Sequence, residues 1–174
     1  MEKELEVAKY ILKRHKDELE REEIRSLSKL RQMVSPYSGY VTSLKTKILG
    51  EVAEYDSADR FRGSLREVLS HASGIELVDL PIQYSLTFEE IEELKAASRL
   101  DKALLITSLL RAIGSEDAAV VFGKNYVAIQ FSDKGIFQAI DIENNILLKE
   151  EAEGFIQGSK PKYIFNDLFF EFGK

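Results

Sequence analysis

The chain has 174 residues, 44% of them hydrophobic and 10% aromatic, which is enough to bury a substantial core and long enough for one domain with an appendage. Its formal net charge of -6 argues against broad binding to a phosphate backbone and leaves room only for a local basic face. Having no cysteine, it can form no disulfide framework, thiolate metal site or cysteine nucleophile.

No apolar run approaches the roughly 18 residues of a membrane span, and the opening MEKELEVAK is too charged for a signal peptide, so no membrane association and a cytoplasmic location are expected. From Glu2 to about Val34 the pattern is helical and heavily charged, with Leu5, Ala8, Leu12, Leu19, Ile24, Leu27, Leu30 and Val34 forming a narrow, imperfect stripe. Such a helix needs a partner surface. The rest of the chain can supply it, and so can a second copy, because a stripe flanked by Glu, Lys and Arg also suits a coiled coil. SPYSG at 35–39 ends this region. A second helix is expected to about Tyr55, and a third from Ser57 to Ser73, closed by Gly74.

IELVDLPIQY then reads as extended, and Pro81 makes it a connector or an edge strand. Thr87 caps a short helix, with Glu90 at the capping-box position. Its glutamates Glu89, Glu90, Glu92 and Glu93 are expected on the solvated side, with Phe88, Ile91 and Leu94 inward. Next comes SRLDKALLITSLLRAIG, 98–114, whose Ala103, Leu104, Ile106, Leu109, Leu110 and Ile113 leave hardly any polar face; it should be a buried core helix. Ser98 and Asp101 mark its start, and Gly114 suits a left-handed end.

After Gly114 the period changes to that of strands, at 118–123, 126–131 and 136–142, with turns at GKN and SDKG, which implies an antiparallel meander. IENNILLKEE reads as a further strand or a turn. The aromatic tail PKYIFNDLFFEF should pack back on the sheet. The expected architecture is α+β, a helical region over 1–75 followed by an α+β core over 76–174 with a buried helix against an antiparallel sheet. No glycine-rich phosphate loop is present, and no cofactor or metal is expected.

The segment from about Leu80 to Asp141 resembles the transglutaminase-like (papain-fold) core, particularly its prokaryotic and archaeal branch. The likeness lies in LPIQYSLTFEEIEEL, LDKALLITSLLRAIG, AAVVFG, a hydrophobic strand and AID, and the tail KPKYIFND resembles the closing segment. In that family the approach to the core helix reads about Gly-x-Cys-x-Asp-Lys-Ala, a His opens the following strand pair, and an Asp ends a later strand. Carried over by position, the Cys falls on Arg99, the His near Asn125 and the Asp on Asp141. A guanidinium offers no nucleophile at neutral pH and an asparagine no general base, so the resemblance implies a degenerate member without catalysis, and not an enzyme.

Ser98 is a poor substitute nucleophile because its oxygen is engaged as a cap, and the only histidines, His15 and His71, lie on the N-terminal helices. An Arg99–Asp141 ion pair would fill the old cleft. Asp141 could equally be a strand-end residue before the ENN turn. The expected role is a protein-interaction or scaffold module, self-associating or holding a partner through its N-terminal helices. The alternative is a non-standard hydrolase or ligand-binding protein using the residual cleft. Degenerate members of the superfamily also serve in eukaryotic DNA-damage recognition, but the acidic charge weighs against nucleic acid here.

Overall fold

The computed structural model describes residues 2–19, 27–51, 60–80, 84–124 and 126–173. Ile24, Pro81, Asn125 and the expected helix boundaries at Tyr55 and Ser57 lie outside the described residues. In chain order the elements are α1 (Glu2–Arg14), α2 (Lys16–Leu19), α3 (Leu27–Met33), α4 (Gly39–Glu51), α5 (Arg60–Ser73), β1 (Glu76–Leu77), α6 (Phe88–Leu94), β2 (Ala96–Ala97) and α7 (Arg99–Ala112). There follow β3 (Ala119–Phe122), β4 (Val127–Asp133), β5 (Ile136–Asp141), β6 (Ile146–Leu148), α8 (Ala152–Gly158), β7 (Tyr163–Phe165) and β8 (Phe170–Phe172). The class is α+β, as the sequence indicates.

Helix α7 is the pivot of the packing. Every residue from Asp101 to Leu110 is buried, because β3 and β4 cover one side of the helix and α4, α5 and α6 the other. It ends in a Schellman turn: Gly114 takes φ 110°, its amide donates to the Arg111 carbonyl, and the Ser115 amide donates to the Leu110 carbonyl.

The main sheet has the order β6-β5-β4-β3-β7-β8 and is antiparallel throughout. Val120, Ile129, Phe131 and Ile140 face the helical core, while Val121, Ala128 and Ala139 face α8 through Ala152 and Ile156. Cover on both faces explains why the apolar run of β3 lacks the alternation of a half-exposed strand. Between β4 and β5, Lys134 (φ 52°) and Gly135 (φ 79°) form a two-residue turn with both φ positive, whose twist matches the strands it joins.

Several expectations need amending. The meander is larger than three strands, since β6, β7 and β8 join the sheet and the aromatic tail becomes part of it rather than packing against it. Residues 78–80 after β1 are coil, and β1 pairs in parallel with β2 in a separate two-stranded ribbon, Glu76 opposite Ala96.

The long N-terminal helix is interrupted at His15, between α1 and α2. There the imidazole turns inward: its Nε2 lies 2.5 Å from Glu90 Oε1, and its ring stacks on Tyr84 at 4.6 Å. Val7 and Ile11 of α1 are fully buried in the same core as Val34, Val41, Val68 and Leu104. One face of α1 therefore packs within the chain, while Leu5 and Leu12 on another stay more than half exposed.

Candidate functional site

The place to look is the amino end of α7, where the resemblance puts a nucleophile. Ser98 is its N-cap, in extended conformation (φ -66°, ψ 163°). Its Oγ accepts from the Asp101 amide at 3.2 Å and donates to Asp101 Oδ2 at 2.8 Å, so the hydroxyl is doubly engaged.

Arg99 opens the helix with a cation, which the partial positive charge of a helix amino end disfavours. Two acids offset this. The guanidinium donates from Nε to Glu143 Oε1 at 2.6 Å and from Nη1 to Asp79 Oδ1. These bonds, that to Glu143 first, hold the Arg99 pKa above its ordinary value even though 38% of the side chain is exposed.

Asp141 is not the partner of Arg99. Its Oδ1 accepts from the Glu143 amide at 2.9 Å and the Asn144 amide at 3.3 Å, and its Oδ2 accepts from Asn144 Nδ2 at 2.7 Å. The carboxylate ends β5 by tying the ENN turn, the strand-end role that was one of its two sequence readings. In doing so it aims Glu143, instead of itself, at Arg99. Asn125 lies outside the described residues. Its neighbour Tyr126 is half-buried with its ring edge-on to Phe155, and desolvation pushes its hydroxyl well above the ordinary tyrosine pKa.

Neither histidine approaches this end of α7 through any described bond; both bind α6, His15 at Glu90 and His71 Nε2 at Glu92 Oε2, 3.2 Å apart. The α6 glutamates are thus more than a solvated face, and Glu90 is itself buried. Glu90 Oε2 accepts from the Thr87 amide to complete the capping box. Glu92 accepts from Tyr40 of α4, and Glu93 from Tyr10 and Arg14 of α1. One acidic helix gathers α1, α4 and α5. Sequence spacing could not show this, because each partner lies 20 or more positions away in sequence, beyond the reach of helical periodicity.

Lys102 was also not legible as a buried group. It is 4% exposed, its Nζ donates to the Ile75 carbonyl at 3.0 Å, and burial lowers its pKa below the ordinary 10.5. An unfolded chain therefore holds this proton more tightly than the folded one, and the penalty of burying the charge is present at neutral pH. It is relieved as pH rises through the lowered pKa towards 10.5. Relative to Lys102→Met, the wild type should gain stability between pH 7 and 10 in urea melts; parallel pH profiles would refute this.

A cavity of about 640 Å3 is lined by residues such as Met33, Tyr84, Phe88 and Leu104, and by neither Arg99 nor Asp141. Among the described residues no group of three His, Cys, Asp or Glu gathers as for a metal, and no helix is long and apolar enough to cross a membrane.

A core helix enclosed between helices and an antiparallel sheet, its amino end at the surface, defines an α+β arrangement. In particular, the chain is similar to Legionella pneumophila LapG, with a TM-score of 0.55 and 14% identity over 86% of this chain and 88% of that one. It is also similar to the calcium-bound form of LapG, with a TM-score of 0.54 and 15% identity over 85% and 88% of the two chains. At these identities the likeness is one of fold. No protein-family model and no curated protein matches the sequence.

Proposed function

We propose that this chain is a transglutaminase-like domain without catalysis, a cytoplasmic protein-interaction or scaffold module. The observation that carries the reading is Arg99, seated at the first position of α7 and bound by Asp79 and Glu143. Where a thiolate would need the helix amino end, the chain has a cation already neutralised by two acids. The first-turn amide of Asp101 is taken by Ser98, and Asp141 is spent on a turn. These ion pairs tie the segment just after β1 and the β5–β6 turn to the start of the core helix.

The same reading extends to self-association through α1. Its exposed Leu5 and Leu12 stand two turns apart on one stripe. Its first turn carries Glu2 and Glu4, and its last Lys13 and Arg14, so two copies packed antiparallel set acidic ends against basic ones. Because Val7 and Ile11 belong to the core, removing the helix would damage the fold. The surface change Leu5→Glu/Leu12→Glu is the appropriate probe.

Two measurements on the full chain test the proposal. Panels of amide and ester substrates should show no turnover above buffer; turnover abolished by Ser98→Ala would establish the non-standard hydrolase instead. Sedimentation equilibrium should show a concentration-dependent dimer that the double glutamate variant converts to monomer. A monomer at every concentration would remove self-association from the reading.

A further inference from the structure

A second site lies away from the α7 amino end, where α5 crosses the β5–β6 edge of the sheet. A cavity of about 210 Å3 opens there. Leu65 and Leu69 of α5 and Leu147 of β6 give it apolar walls. Its rim carries cations in an otherwise acidic protein, Arg62 and Arg66 one helical turn apart on α5 and Lys149 just beyond β6. Asp133 is the acid of this lining, and Arg62 Nε already binds its Oδ2 at 2.8 Å. Arg66 and Lys149 are exposed and form no ion pair among the described residues. The cavity also meets Gln138, which is 4% exposed and sits opposite Phe131 in the β4–β5 register. Its buried Oε1 has no hydrogen-bond partner among the described residues, an unusual state for a buried polar atom.

These features ask for three things at once: an anion for Arg66 and Lys149, an N–H or O–H donor for Gln138, and a compact apolar body for the leucines. A carboxylate with an amide N–H one carbon away and a branched aliphatic side chain offers all three. We infer that the cavity between α5 and the β5–β6 edge binds an N-acylated apolar amino acid, free or as the last residue of a peptide, through Arg66, Lys149 and Gln138. The site goes beyond the scaffold reading and does not depend on the state of the α7 amino end.

The test is a titration of 15N-labelled full-length protein followed by NMR. N-acetyl-leucine should produce saturable shifts at the Gln138 side-chain amide and around Leu147. N-acetyl-leucinamide, which lacks the carboxylate, and 4-methylpentanoate, which lacks the N–H, should each bind roughly tenfold more weakly or worse. Arg66→Ala/Lys149→Ala, two exposed changes, should weaken N-acetyl-leucine by a similar factor at an unchanged melting temperature. Gly-Gly-Leu binding at least as tightly as N-acetyl-leucine assigns a peptide terminus, and weaker binding assigns the free acid. The absence of saturable shifts, equal binding of the amide, or binding untouched by the double variant overturns the inference.

Discussion

Arg111→Ala is expected to cost about 3 kcal/mol of folding stability, since removing one partner of a buried ion pair strands the other. The guanidinium, 7% exposed, donates from Nε to Asp167 Oδ1 at 2.7 Å and from Nη2 to Oδ2 at 3.1 Å, a forked pair; the Asp167 side chain is 16% exposed. Its Nη1 also donates to the Ser115 and Glu116 carbonyls just past the end of α7. One side chain thus closes the core helix and joins it to the β7–β8 connection. Arg31 adds bonds from α3 to the Asp167 and Leu168 carbonyls. Arg111→Lys keeps the charge but not the fork and should fall between wild type and alanine. Urea unfolding measures the difference, and a loss under about 1 kcal/mol would place the pair with weak surface bridges.

Phe131→Ala should be at least as damaging, about 3–5 kcal/mol, the usual range for deleting a buried aromatic side chain. Phe131 is fully buried at the centre of β4, the strand flanked by β3 and β5. Its ring meets Phe61 of α5 at 6.2 Å, which sets how that helix lies on the sheet. Phe131→Leu refills most of the space and should lose far less. In a double-mutant cycle with Phe61→Leu, coupling of about 0.5–1.5 kcal/mol is expected for the ring pair. Additive losses would show that the two rings act separately.

What the sequence revealed and what it hid divide along the range of the interactions. The α7 boundaries, the Thr87–Glu90 capping box and the Lys134–Gly135 turn depend on residues within a few positions of one another, and local chemistry made them legible. The β1–β2 ribbon has two residues per strand, and its partners are 20 positions apart, too short and too distant for any periodicity. Helix α8 carries two glycines in seven residues, which leaves it a weak helical signal. The tail lacked an alternating pattern because Phe165 is buried while Phe170 and Phe172 climb towards the sheet edge.

At the candidate site, the positions could be lined up but not their partners. Asp141 looked free to meet Arg99 because the claim of the ENN turn on both its oxygens is a matter of three-dimensional geometry. The acids that do reach Arg99 come from Asp79, twenty positions back, and Glu143, forty-four ahead.

The position of β7 beside β3 bears on how the protein is made. A ribosome that has completed residues through Gly158 has made β3 to β6 and every described helix, yet the outer hydrogen-bonding edge of β3 still has no strand against it. That edge closes when Tyr163–Phe165 emerges, and Asn166 then ties the new hairpin to the Ala118 carbonyl. Until then the nascent chain carries an open, strongly apolar strand margin, the template on which neighbouring chains aggregate. Synthesis of β7 after the rest of the sheet it borders thus makes solubility during translation depend on how soon Tyr163–Phe165 reaches β3.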